Sequence, residues 1–570
     1  MATQEKVYII PSFDAGVQTK SSSFLKKQNE LKLAKNVDLQ AMFGAICKAP
    51  GYTQLGDEIA SSRTLLGCGA LNSSSYNKIL AFANKAGSGA DAYVYNSATG
   101  AWSAQSRSYT ADQSFETESF LDMLFVVNGL TDAPETYTGA AWSTSTNVTD
   151  MPKARYIKVY ENRLFLYNIT LPVGGSFPSR VWYCDLPKNN AIVWDFESGA
   201  DLASTSGSAV VTSATAVFKT RGIKAGDPIF ITTGTNAGEY EIESVDSETQ
   251  LTLTQSLSAT ESSKSFWCGG NWFDVARDNS DIGKGLAINA DRLLCFKRFS
   301  LYRFLKTPDA VTDSLTPIKG APGTVSNRGI VNIGKYTFYP SDTGIWRYDG
   351  VESLLASSPI QEVWDGVSSA NYSSIFGWAV NDRTLKMYVG DVSNTNTGLT
   401  INKCVMVYDL IMNTWWTESI ADTLVAGSQW LNGNSLQNFV FGNGECFQTE
   451  SGGSFDGTEI DMDAETDFYF PISPEVSANI TRVKFYTQYG RAINFQYKLA
   501  YYTDPSGQQI DSEWRTGAVI DHTEYETNIR INETDNFASG IAFKFREISS
   551  TLAKIAISRA VVYYTGGELR

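Results

Sequence analysis

The densest set of chemically capable side chains lies in one short run, where Glu459, Asp461, Asp463, Glu465 and Asp467 alternate with Ile460, Met462, Ala464, Thr466 and Phe468. A strand turns successive side chains to opposite faces, so the period of two predicts five carboxylates on one face. We read this run first as a solvated or pore-facing strand edge. Two alternatives stay open: a cation site and a glycosidase carboxylate pair. As an EF-hand loop the run fails, with Thr466 at the position that needs glycine and Ile472 at the position that needs a bidentate glutamate. A glycosidase needs two carboxylates facing each other across a cleft, and like charges crowded on one strand raise each other's pKa without defining one.

Little else in the chain has the spacing of a catalytic set. His522, in "VIDHTEYET", is the one histidine of 570 residues, so a multi-His metal site within one chain is excluded and any Ser-His or Cys-His pair would rest on it. Seven cysteines, an odd number with no Cys-x-x-Cys pair, read as reduced and mostly buried thiols. No Walker-type loop or dinucleotide fingerprint occurs. "SDTGIW", Ser341 to Trp346, is faintly similar to a sialidase Asp-box, but it occurs once and a turn entering a strand explains it equally. The expectation is a protein that is not an enzyme and holds no cofactor or metal. The net charge of −15 is opposite to what a phosphate-gripping surface carries.

The elements that must position these residues are strands. Aromatics make up 12% of the chain, glycines number 46 and prolines 16, and Ser, Thr and Asn fill the gaps between short apolar runs. From about Leu65 to Glu450 one theme recurs roughly every 40–60 residues: a strand, a Gly/Asn/Asp turn, a second strand with aromatics, then often a tryptophan such as Trp102, Trp142 or Trp194. A unit of about four short strands cannot bury both of its faces alone, so the repeats must stack around an axis. The fold class expected is all-β: a β-propeller of six or seven blades with an inserted small β-barrel and a C-terminal β-sandwich. Residues 1–60 form an N-terminal segment that completes the propeller or contacts a neighbouring subunit, 61–203 and 267–453 the two parts of the propeller, 204–266 the barrel and 454–570 the sandwich. Within the sandwich, Val483, Phe485, Ile493, Phe495, Tyr497, Leu499, Phe543, Phe545, Ile555 and Ile557 fall on the core side of alternating strands. The barrel is expected to stand clear of the propeller on a core of its own. Neither a secretory signal nor a run of membrane-spanning length is present in this sequence.

In order along the chain, several phrases resemble the β-propeller nozzle or hub proteins at the tails of short-tailed bacteriophages. The opening "QNELKLAKNVDLQAMFGAICKAPGYTQLG" carries Asn36-Val37, Gly44, Lys48 and Pro50-Gly51-Tyr52, with the family's usual Lys-Arg before Pro-Gly reduced to Lys48-Ala49. "RYIKVYENRLFLYN", "SRVWYCDL", "INADRLLCFKRFSLYRF", "GIWRYDG", "VMVYDLIMNTWW" and the closing "ISRAVVYYTGGELR", ending at Gly567 to Arg570, are similar to strand segments of such proteins. The resemblance implies a structural tail protein of the virion, assembled in the host cytoplasm. It implies a homo-oligomeric, commonly hexameric ring below the portal and adaptor tail proteins, in contact with tail fibres or spikes. Double-stranded DNA would pass through that ring transiently, without specific binding. In that setting the strand Glu459 to Asp467 would face the channel or its mouth. The competing reading is a carbohydrate-binding or depolymerising tail-spike propeller, since a fold does not determine a function.

Overall fold

A computed structural model describes residues 4–19, 27–59, 63–171, 175–277, 280–307, 313–432, 435–488, 492–503, 509–520, 525–531, 536–550 and 556–569. His522, Ile555 and Arg570 lie outside them.

Among the described residues, seven four-stranded antiparallel units stand around one axis. Five are separate sheets and two belong to a larger 15-stranded sheet. Their innermost strands are Leu65–Asn72, Glu116–Phe120, Lys153–Tyr160, Gly283–Asn289, Val331–Ile333, Phe376–Val380 and Leu424–Asn432, which define blades one to seven. Each innermost strand packs against the next, and the seventh packs against the first, so the ring is closed. Apolar side chains fill the gaps between blades. Phe82 of blade one stacks on Phe115 at the start of blade two with ring centroids 4.4 Å apart, and Trp430 and Phe441 of blade seven pack with Ile79 and Trp102 of blade one. Stacking of this kind is what completes a core for repeats that lack one.

Blade seven is closed by the other end of the chain. Its fourth strand is Tyr52–Gln54, antiparallel to Glu445–Thr449 with Thr449 opposite Tyr52. The remaining N-terminal strands go elsewhere. Lys6–Ile10, Val37–Asp38 and Ile46–Lys48 join a sheet with Val476–Gln488 and Ala556–Leu569, while Leu31–Lys35 joins a second sheet with Thr458–Thr466 and Gly540–Ser549. These two sheets are the sandwich. It is therefore built from both ends of the chain, and not from residues 454–570 alone. Its core holds Val483, Phe485, Ile493, Phe495, Tyr497, Leu499, Phe543, Phe545 and Ile557, all buried as the alternation requires. That core is continuous with blade six through Phe13, Leu31, Ala34, Val37 and Trp415.

The inserted module is a closed six-stranded barrel that begins at Phe196–Ser204 and ends at Glu261–Gly269, wider than 204–266. The first strand reads "FESGADLAS" and resembles a polar linker, which hid it. The barrel also enters at a different place from the one the repeat suggests. The third unit does not end near Trp194; its fourth strand is Asn271–Asp274, beyond the barrel, and the tryptophan of that strand is Trp272. The barrel thus interrupts blade three between its third and fourth strands. Its ends lie side by side, Gly270 N–H donating to the Asp195 carbonyl at 2.6 Å. Ile229, Ile231, Ile242, Leu251 and Leu253 fill its interior. It does not stand clear of the propeller: Phe196 and Trp267 pack on Trp182 at 5.8 and 6.2 Å, and Phe230 stacks on Trp267 at 3.9 Å.

Candidate functional site

The strand Thr458–Thr466 alternates as its sequence demands, with Ile460, Met462, Ala464 and Thr466 buried and Asp461, Asp463 and Glu465 together on the opposite face. It is not a sheet edge. Leu31–Lys35 lies on one side and Gly540–Ser549 on the other, and both bring cations to the acidic face. Asp461 receives Lys35 at 3.1 Å and the Arg546 guanidinium at 2.9 and 3.1 Å. Lys544 lies 3.4 Å from Asp463 and 3.9 Å from Glu465, and Lys32 lies 3.1 Å from Glu465. Burial works to raise the Asp461 carboxyl, but the bonds from Arg546 and Lys35 outweigh it and hold the pKa below the ordinary value. For Lys32 burial alone would lower the ammonium's pKa, and the field of Glu465, with Asp467 and Asp511 behind it, raises it instead. Asp467 accepts the Phe468 N–H at 2.9 Å, and Glu459 is exposed with no ion pair among the described residues. The face is a charge-balanced cross-strand ladder, not a bare acidic wall.

A different constellation occupies the propeller axis, and sequence periodicity carries no trace of it. Asn327 and Arg328 lie in the linker between blades four and five. The Arg328 guanidinium donates to the carbonyls of Leu66 and Phe115 at 2.7 and 2.8 Å, to Ser114 Oγ at 2.8 Å and to Glu116 at 3.3 Å. Asn327 Nδ2 donates to the other Glu116 oxygen at 3.1 Å, while its Oδ1 accepts the Leu286 N–H of blade four at 3.2 Å. The Arg328 carbonyl accepts the Gly377 N–H of blade six at 2.9 Å. Two consecutive residues that bond to blades one, two, four and six must sit on the axis. They close it near the N-terminal ends of the innermost strands. Burial raises the Glu116 carboxyl above its usual range against the opposing pull of Arg328.

The motif residues at the start of the chain act as joints. Asn36, at φ 55°, donates Nδ2 to the Asp461 carbonyl at 2.9 Å and accepts the Ser419 N–H at 2.7 Å, tying the ladder strand to blade six. Lys48, buried, pairs with buried Glu547 at 3.3 Å and donates to Ser549. Gly51 admits no side chain, since a Cβ there would lie 1.9 Å from the Ser454 carbonyl oxygen. Tyr52 donates to Asp422 at 2.6 Å and stacks on Phe455 at 5.1 Å. Beside these joints, the buried Lys386 ammonium of blade six holds two carboxylates, Glu418 at 2.9 Å and Glu450 at 2.6 Å. Burial pushes the Glu418 carboxyl up to about 7, with Glu450 adding to the rise and Lys386 opposing it.

Asp342 of "SDTGIW" sits in a hairpin turn of blade five and bonds Arg298 of blade four at 2.8 and 2.5 Å, a joint between blades. All seven cysteines are free and six are buried; burial raises the Cys184 thiol to about 12. Among the described residues no group of three or more His, Cys, Asp or Glu is placed to hold a metal ion, and no helix is long and apolar enough to cross a membrane.

No family model and no curated protein matches the chain. Solved structures similar to it include the phage phi92 endosialidase (8% identity over 87% of this chain and 68% of that one, TM-score 0.20). Others are the N-terminal domain of Nup159 (9%, 70% and 94%, TM-score 0.25) and the Neurospora crassa Pan2 WD40 domain (8%, 69% and 97%, TM-score 0.26). The architecture is that of a β-propeller protein.

Proposed function

We propose that this chain is a structural component of a bacteriophage tail, a nozzle or hub protein whose copies form a ring around the DNA exit channel. The observation that carries this reading is the closure of the propeller axis by Arg328 and Asn327. A duplex has no path through one subunit, so any DNA path must run between subunits, as it does in a ring. The use made of interior charge supports the same reading. Arg328–Glu116, Lys48–Glu547 and Lys386 with Glu418 and Glu450 each join separate elements, as suits a load-carrying part. The carboxylates Asp461, Asp463 and Glu465 have the same duty, holding three sandwich strands together. Electron cryomicroscopy of the purified protein should show closed rings, and antibodies against it should label the tail end of virions. A monomer at every concentration that labels no virion would overturn the reading.

A second reading has one observation in its favour. A cavity of about 610 Å³ is lined by Asn332, Trp378 and Gln429 of the innermost strands of blades five to seven, by Asn381 and Asp382 of the turn after the blade-six strand, and by Asn438 of the second strand of blade seven. Amide groups beside an indole suit a neutral polyhydroxylated ligand such as a glycan. Asp382 is the one carboxylate lining that cavity among the described residues, which suits binding rather than hydrolysis. Incubation with host polysaccharide should release no reducing ends, and saturable glycan binding abolished by Asn381→Ala would favour this reading.

A further inference from the structure

The outward face of the sandwich sheet is cationic in a chain of net charge −15. Register places Arg482 between Arg530 and Tyr563, and Lys484 between Asn528 and Val561, with Tyr486 beside Arg559. The edge strand Lys6–Ile10 extends these rows with Val7 and Ile9, 52% and 44% exposed. Glu5 pairs with Arg482 at 2.9 Å, and Glu526 pairs with Lys484. Arg530 is exposed, Arg559 lies over the Tyr486 ring at 5.3 Å, and neither has a carboxylate partner among the described residues. Aliphatic side chains in the open beside unmatched guanidinium groups make a surface suited to an acidic protein partner.

The same chain carries an acidic strand to match. In the barrel strand Gly238–Val245, Glu239, Glu241 and Glu243 are all exposed on the outer side, while Ile242 points into the barrel. Unlike Asp461, Asp463 and Glu465, they have no ion pair among the described residues. This strand is the neighbour of Pro228–Ile231, whose Phe230 stacks on the docking residue Trp267. The barrel springs from blade three, and the sandwich is joined to blades six and seven. In a closed ring of seven blades, three steps separate blade three from blade six in one direction and from blade seven in the other. The barrel and the sandwich are therefore attached at opposite sides of the ring.

We propose that copies of this chain associate head to tail, the barrel strand Gly238–Val245 of one copy docking on the Arg482–Arg530 face of the next. Two different complementary patches make a heterologous contact, the kind that closes into a ring when the rotation per step allows it. The inference rests on the ring proposed above and names its interface. Charge attraction between exposed groups is screened over about 8 Å at physiological ionic strength, so the contact weakens as salt rises.

Two variants test it in mass photometry at low and high salt, with circular dichroism confirming that each is folded. One is Glu239→Gln with Glu241→Gln and Glu243→Gln; the other is Arg482→Gln with Arg530→Gln. The unaltered protein should form a closed oligomer at low salt and lose it at high salt. Each variant alone should stay monomeric. A mixture of the two should give dimers and nothing larger, because each variant keeps one working face. Rings that persist in either variant would overturn this interface and leave the ring standing. Dimers from a single variant would replace it with a symmetric contact, and an unaltered protein that stays monomeric at every salt concentration would overturn both the ring and the interface.

Discussion

Arg180 and Asp274, 94 residues apart in the chain, face each other in register across the third and fourth strands of blade three, joined by two hydrogen bonds of 2.8 and 2.9 Å. The Arg180 guanidinium is buried and also lies 3.5 Å from the centre of the Trp272 ring. The whole barrel is inserted between these two partners, so their bond is the clasp that lets blade three close around the interruption. Asp274→Ala leaves a buried cation unpaired and should lower stability by roughly 3–5 kcal/mol. Chemical denaturation followed by tryptophan fluorescence measures it, and a loss below about 1 kcal/mol, the range of surface ion pairs, would show that the clasp is dispensable.

The barrel can be removed at its neck, because Asp195 and Gly270 are already hydrogen-bonded neighbours. A variant lacking residues 196–269 should fold as a propeller with a sandwich. It should also unfold at a lower temperature, since Trp182 loses the cover of Phe196 and Trp267. Thermal unfolding by calorimetry checks both parts; an unchanged midpoint would mean that the aromatic seam contributes nothing.

Arg328→Met removes the cation from the propeller axis and strands the Glu116 carboxyl. A loss of roughly 3–5 kcal/mol is expected, with much of it recovered when Glu116→Gln is added. Strict additivity in this double-mutant cycle would show that the two residues do not act as a unit.

The two carboxylates on Lys386 make stability depend on pH. The Glu418 pKa is raised in the folded protein, from 4.5 to about 7, so its contribution favours folding below the unfolded value and is lost as pH rises through the folded one. The denaturation midpoint should fall between pH 5 and pH 8, and Glu418→Gln should flatten that fall. At roughly 1.4 kcal/mol per pKa unit the effect is on the order of a few kcal/mol. Identical profiles for the two proteins would remove Glu418 as the source.

Gly51→Ala forces a methyl group against the Ser454 carbonyl and should unseat Tyr52–Gln54 from blade seven. A cost of roughly 1–3 kcal/mol is expected, together with faster proteolysis of the N-terminal segment. Unchanged protection of that segment would show that blade seven closes without it.

What the sequence determined by itself was everything that depends on neighbouring residues. Successive side chains on a strand alternate, so the shared face of Asp461, Asp463 and Glu465 and the burial of Val483, Phe485, Phe543 and Phe545 were legible without coordinates. A repeating strand and turn pattern that cannot bury its own faces requires a ring, and Trp102, Trp142 and Trp415 mark the outer strands of blades one, two and six. Only the tertiary structure decided what lies opposite each face. Lys35 and Arg546 reach Asp461 from strands 426 and 85 residues away and turn an acidic surface into a neutral ladder. Arg328 carries no periodic signal because it sits in a linker, and its partners come from the far side of the ring. The opening strand of the barrel and the strands shared between the two chain ends escaped for the same reason: local geometry sets which way a side chain points, while its partner depends on how distant segments close upon one another.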